Sequence, residues 1–222
     1  MELTGTERET LKAIYRISPG GDAVRTGDLA EALGVSPATV TARLKRFDEN
    51  GLAEHTPYQG VRLTPGGRRR AVSAIRRHRI VERFLSDMLG YPWDGADRLA
   101  VKFEHDLPDE VVARLFIALH RPATCPHGFP IPEDEADEVA QLPSLADIDL
   151  GREVEVALPG ATHADVVAFL DTLGIRPGAR VTVREHQPFG GPLVVSVDGQ
   201  ERLIGDTLAR AIYVSAVTRK AM

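Results

Sequence analysis

The sequence predicts an α+β chain in three parts: an N-terminal winged helix-turn-helix, a helical dimerisation domain and a C-terminal SH3-like β-barrel. Three observations predict it. Residues 4–49 carry three amphipathic helical patterns with a Gly turn between the last two, and a hairpin pattern follows directly. Residues 64–119 carry one long helical pattern and two shorter ones. From about Arg152 the pattern changes to short alternating strands separated by Gly and Pro. The expected partition is residues 1–66, residues 67–140, a linker over 141–150, and a barrel over 151–222.

The chain has 222 residues and a net charge of −5. Residues 1–83 hold 15 Lys/Arg against 10 Asp/Glu, whereas residues 84–222 hold 12 against 22. A basic N-terminal part on an acidic chain points to a polyanionic partner for that part. No apolar run reaches the roughly 18 residues of a membrane span, and Met1-Glu2-Leu3-Thr4 does not open a signal peptide. A cytoplasmic protein that engages no membrane is expected. Cys125 stands alone, so no intrachain disulfide forms.

In chain order, residues 4–17 read as a helix with Leu11, Ile14 and Tyr15 inward. Thr26 is placed to cap a short helix from Gly27 to Leu33 that stops at Gly34. Ser36-Pro37 opens the next helix, with Val40, Leu44 and Phe47 on its buried face. Its other face offers Ser36, Ala38, Thr39, Thr41, Arg43 and Arg46 to duplex DNA: small and hydroxyl side chains for base edges, cationic ones for phosphates. Residues 52–63 read as a hairpin turning near Tyr58-Gln59-Gly60, a wing that presents Tyr58, Gln59 and Arg62.

Thr64-Pro65 starts a long helix expected to reach Leu89. Its apolar stripe runs Ala71, Ile75, Leu85, Leu89, and His78 and Glu82 fall on the same face. A helix over Gly95–His105 places Asp97, Val101, Glu104 and His105 together by the same periodicity. Carboxylates and imidazoles on inward faces are rarely buried unless paired or bound to metal. A third helix begins at Pro108-Asp109-Glu110; its wide apolar face, Val111, Val112, Leu115, Phe116 and Leu119, fits a partner subunit. Strands follow at Glu153–Leu158, Arg180–Glu185, Leu193–Val197 and Glu201–Ile204, with a helix from Ala164 to Leu173 between them and a last strand over Ala209–Val214.

The order of parts resembles the diphtheria toxin repressor family of iron- and manganese-dependent transcriptional repressors. The residues that carry the resemblance are His78-Arg79-Ile80-Val81-Glu82-Arg83-Phe84-Leu85, then Phe103-Glu104-His105 with Pro108-Asp109-Glu110-Val111, then Cys125-Pro126-His127-Gly128 with Pro130-Ile131-Pro132. The resemblance implies a homodimer that binds a palindromic double-stranded operator when metal is loaded, with two metal positions per subunit. The first position matches Glu9, Val101, Glu104 and His105; relatives place Cys or Glu at the position of Val101, which offers no donor, so the site is weakened or recruits Asp97, a turn away on the same face, or water, and His78 can also turn towards it. The second position has two versions in the family. One matches Glu82, Cys125 and His127, with His163 or Asp165 supplied by the barrel; the other matches His78, Glu82 and Asp97.

Such donors suit Mn²⁺ or Fe²⁺, and Zn²⁺ or Co²⁺ bind comparable sets in vitro. The mechanism expected is a population shift: without metal the clustered Glu9, Glu82, Glu104 and His105 repel, and a cation offsets the repulsion and fixes the winged helices for DNA. The chain has no Gly-rich phosphate loop, nucleophile elbow or H-E-x-x-H, so an enzyme is not expected. The competing expectation is a winged-helix regulator whose metal site is vestigial or altered, because of Val101, and which answers another signal.

Overall fold

The computed structural model describes residues 3–56, 59–134, 141–158 and 164–217. It comprises two compact units, the first formed by Met1–Phe84, Leu99–Arg121 and Ile131–Val139, the second by Leu85–Arg98, Pro122–Pro130 and Ala140–Met222.

In the first unit, α1 (Gly5–Ile17), α2 (Thr26–Leu33) and α3 (Pro37–Glu49) surround one apolar core. Leu11 and Ile14 of α1 meet Leu29 of α2 and Val40, Leu44 and Phe47 of α3 there, all essentially without exposure. Full burial of side chains of this size stabilises by about 1.5–3 kcal/mol each. Ser36 caps α3 by accepting the Thr39 N–H at 3.2 Å, and Pro37 occupies the first turn, where no N–H is needed. Gly34 ends α2 with φ +62°, a conformation that side-chain-bearing residues rarely adopt. Thr26 is the first residue of α2 rather than its cap; Arg25 holds the cap position and makes no side-chain capping bond.

The wing pairs β1 (Ala53–Thr56) antiparallel with β2 (Gly60–Leu63). Val61 also exchanges backbone hydrogen bonds with Val24, at 2.8 and 2.9 Å, which ties the wing to the segment before α2. Helix α4 (Pro65–Asp87) follows, and Ala71, Val72 and Ile75 join the first core. It stops before the expected Leu89, which is exposed: Gly90 turns left-handed, its N–H donates to Ser86 O, and the Tyr91 N–H donates to Leu85 O. Helices α5 (Trp93–Phe103) and α6 (Asp109–Ala118) complete the helical region. Helix α6 buries Val112 and Phe116 and leaves Val111 and Ile117 exposed.

The second unit is built on a five-stranded antiparallel sheet, in the order β6 (Gln200–Ile204), β5 (Leu193–Val197), β4 (Arg180–His186), β3 (Glu153–Ala157), β7 (Tyr213–Ala216). Alternate residues Val154, Val156, Val181, Val183, Val195 and Val197 face its core. Two expectations are corrected. Residues 145–148 are not linker: Leu145 and Ile148 lie in that core, and the Leu145 N–H donates to Ile212 O at 2.8 Å. Residues 209–211 are not strand: after α7 (Ala164–Thr172) comes helix α8 (Asp206–Ala211), in which Asp206 and Arg210 pair at 2.9 Å one turn apart, and β7 starts at Tyr213.

Candidate metal centre

Helix α1 carries two sets of polar side chains at helical spacing. Thr4 starts it with a capping box: its hydroxyl accepts the Glu7 N–H, and Glu7 Oε2 accepts the Thr4 N–H at 2.9 Å. Glu9 and Lys12, three residues apart, then share one face. Glu7 and Thr10, also three apart, share another.

Glu104 and His105 sit just past α5, which ends at Phe103, two residues before the expected His105. The Glu104 N–H still donates to Ala100 O at 2.8 Å, so the turn remains helical in its hydrogen bonding. What fixes the segment is Arg77 of α4, buried and fork-shaped. Its Nε donates to Glu104 O at 2.8 Å, Nη1 donates to Asp109 Oδ1 at 2.8 Å, and Nη2 donates to Leu107 O. Burial lowers the Arg77 pKa from its usual value, and neighbouring Arg8 adds to this against the opposing charges of Asp109 and Glu104.

Glu9, Glu104 and His105 each offer a ligand atom, and these atoms all lie within 4.8 Å of one another. Glu104 is fully buried. His78 Nδ1 lies 2.9 Å from its Oε2, and since an ionised carboxylate only accepts, the ring N–H donates. The His78 ring also approaches Glu82, Nε2 to Oε2 at 3.9 Å. Burial disfavours the Glu104 anion, but the His78 hydrogen bond and the charges of His78 and Lys12 hold its carboxyl below the usual range. His105 Nδ1 is buried and makes no hydrogen bond among the described residues. Its ring packs on the first residue of α1, where a Cβ on Gly5 would lie 2.6 Å from Cδ2 and 2.7 Å from Nε2. Only glycine allows α1 to approach this closely.

Two carboxylates and one imidazole with an orphaned ring nitrogen fit a divalent transition ion in kind. Val101 is half-buried and adds no donor. A feature that sequence reading missed is Lys12: 1% exposed, its Nζ is 2.5 Å from Glu9 Oε1 and 3.1 Å from Glu104 Oε1. The expected repulsion between Glu9 and Glu104 is therefore offset within the chain by an ammonium. The i, i+3 spacing of Glu9 and Lys12 was visible in the sequence; that Lys12 reaches Glu104 was not, because the two stand 92 positions apart.

The second face of α1 meets α3. Arg46 pairs with the buried Glu7, Nη2 to Oε1 at 2.9 Å, and Arg43 Nη1 donates to Thr10 Oγ1 at 3.1 Å. Both arginines were expected to face DNA. Arg43 is half-buried beside α1, and Arg46 keeps 58% of its side chain exposed. Ser36, Ala38, Thr39 and Thr41 are exposed along the start of α3, as are Gln59 and Arg62 of the wing. Tyr58 lies outside the described residues.

Asp97 is half-buried on α5. In the second unit Cys125 and His127 are buried: the Cys125 N–H donates to Phe129 O, the Leu158 N–H donates to His127 O, and the His127 ring meets Trp93 edge-on at 5.0 Å. His163 lies outside the described residues, as does the side chain of Asp165.

Comparison with known proteins places these features. Residues 2–61 match the iron dependent repressor N-terminal DNA binding domain, residues 64–133 the iron dependent repressor metal binding and dimerisation domain, and residues 144–216 the FeoA domain. The iron-dependent repressor IdeR of Mycobacterium tuberculosis is 32% identical over 230 residues, covering 97% of this chain and 99% of the relative. The chain belongs to the diphtheria toxin repressor family. Members of this family are metal-dependent transcriptional repressors, not enzymes. The diphtheria toxin repressor of Corynebacterium glutamicum is 30% identical, covering 97% of this chain and 98% of the relative. Among solved structures, a manganese-dependent transcriptional repressor in complex with manganese is 32% identical, with a TM-score of 0.80 over 95% of this chain and 99% of that one. ScaR with bound Zn²⁺ has the same TM-score and coverage at 27% identity. This family member thus carries a DNA-binding domain, a metal binding and dimerisation domain, and an SH3-like FeoA domain. No helix among the described residues is long and apolar enough to cross a membrane.

Proposed function

We propose that the protein is a cytoplasmic homodimeric repressor that binds a palindromic DNA operator under the control of a divalent transition metal, Mn²⁺ or Fe²⁺, and so regulates metal homeostasis. The observation that carries the reading is the double role of α1. One face holds Glu9 against Glu104, and the other holds Glu7 and Thr10 against Arg46 and Arg43 of the recognition helix. A change at Glu9 is thereby a change in the footing of α3.

The proposed first ligand set is Glu9, Glu104 and His105. A bound cation would neutralise the two carboxylates and take a ring nitrogen of His105. The chain's own part is to hold these donors. Arg77 fixes the backbone at Glu104, His78 orients the Glu104 carboxylate, and Gly5 admits the His105 ring. The second set is proposed from the resemblance alone, with Glu82 as its common member, and either Cys125 and His127, with His163 or Asp165, or His78 and Asp97. Ser36, Ala38, Thr39, Thr41, Gln59, Arg62 and Tyr58 are proposed to meet DNA, with Arg46 at the edge of that surface. The exposed Val111 and Ile117 of α6 suit a twofold interface.

The test is operator binding by the metal-stripped protein, titrated separately with Mn²⁺, anaerobic Fe²⁺, Co²⁺ and Zn²⁺. A rise in affinity with metal that a chelator reverses supports the reading. A second reading, a winged-helix regulator with an altered metal site, is favoured by Lys12 and Val101, and it predicts operator binding that ignores the chelator.

A further inference from the structure

We propose that Lys12 is an internal cation that competes with a divalent metal for Glu9 and Glu104, and so sets the metal level at which this repressor responds. The proposal rests on reading Glu9, Glu104 and His105 as a metal centre. Lysine is almost never fully buried unless paired, and Lys12 is 1% exposed. Its two anionic partners are two of the three donors of that centre, reached at 2.5 Å and 3.1 Å. The second oxygen of Glu104 is already taken by His78 at 2.9 Å. An incoming ion that uses Glu9 and Glu104 therefore meets either the Lys12 ammonium or the His78 ring, and of the two it is the ammonium that bridges both carboxylates. A divalent ion and an ammonium on the same pair of carboxylates repel each other, and the repulsion is strong where water is excluded. The four-carbon stem of lysine is flexible, so Nζ can withdraw without moving α1.

Two consequences follow. The metal-free chain is not a loosened one at this point, since Lys12 ties α1 to Glu104 through a charge of its own. Metal binding is an exchange of one cation for another, which weakens it relative to the same donors without a lysine.

The experiment compares Co²⁺ binding to the metal-stripped full chain, followed by its visible absorption, in wild type, Lys12→Met, Lys12→Arg and Lys12→Met/Glu104→Gln. The gain expected for Lys12→Met is at least tenfold in affinity. It should vanish in the double variant and be missing in Lys12→Arg, which keeps the charge. Equal or weaker binding by Lys12→Met, or an equal gain in Lys12→Arg, overturns the proposal. Should Lys12→Met not fold, the wild type supplies the answer by amine acetylation read by mass spectrometry. Lys12 should be protected without Co²⁺ and modified faster with Co²⁺; protection unchanged under Co²⁺ overturns the exchange. Equal Glu104-dependent binding by wild type and Lys12→Met removes only the role of Lys12. Co²⁺ binding that is indifferent to Glu104 in every variant removes the metal reading of this cluster as well.

Discussion

Substituting Gly5 by Ala tests how closely α1 must approach the metal centre. In most helices this change stabilises, by up to about 1 kcal/mol, because alanine loses less backbone entropy. Here the new methyl would lie 2.6 Å from Cδ2 and 2.7 Å from Nε2 of His105. Ordinary carbon contacts begin near 3.4 Å, so ring and helix must separate by about 0.8 Å, several times the ~0.2 Å latitude of metal–ligand distances. No donor is removed, yet one is displaced. The expected result is metal affinity reduced about 10–100-fold, the range seen when groups that orient ligands are changed. Thermal stability without metal should change by no more than about 1–3 kcal/mol, the usual cost of overpacking. Co²⁺ titration and urea unfolding of the same preparations read both quantities. A Gly5→Ala protein that is more stable and binds metal as tightly as wild type would refute the packing argument.

Other expectations follow from the same geometry. Arg77→Lys keeps the charge but loses the fork that grips Glu104, Leu107 and Asp109; it should cost about 1–3 kcal/mol in urea unfolding and weaken metal binding, whereas a purely electrostatic role would leave both unchanged. Phe47, without exposure at the centre of the first core, should cost about 3–5 kcal/mol as Phe47→Ala, read by the urea midpoint. Glu7 is buried, which raises its pKa, but hydrogen bonds from Thr4 and the charges of Arg46 and Arg43 hold it below its usual 4.5. A lowered folded pKa means its contribution is complete above about pH 4.5 and is lost as pH falls through the folded value. Glu7→Gln should therefore be less stable than wild type at pH 7 and lose less stability on acidification. An identical acid limb in both proteins would show that Glu7 is not held by Arg46 and Thr4.

Much of this was legible in the sequence because it is written in local signals. Ser36-Pro37, Gly34 and the period of Val40, Leu44 and Phe47 mark α3 within 13 residues, and alternating valines mark the strands of the second unit. The grouping of Glu9, Glu104 and His105 followed from a resemblance that extends over nearly the whole chain. Three features were not legible, each because it depends on partners far along the chain. Lys12 looks like an ordinary helix-surface lysine until Glu104 is placed beside it. Arg43 and Arg46 read as phosphate contacts, and no local signal shows that they also pair with Thr10 and Glu7 of α1. Leu145 and Ile148 sit in a Pro- and Asp-containing stretch that reads as linker, and only the closed core shows what they fill. The Ala-rich end of α8 reads as strand because Ile212, Tyr213 and Val214 adjoin it; in the structure it is helical and buries Ala209 in the second core.

The most direct test of the coupling through α1 is operator affinity with and without Mn²⁺ for wild type and Glu104→Gln, measured in parallel at one salt concentration, since salt alone moves such affinities. The account predicts a metal-induced rise in wild type that is lost or sharply reduced in Glu104→Gln. Equal metal responses in the two proteins, or wild-type affinity that does not change with metal, would contradict it.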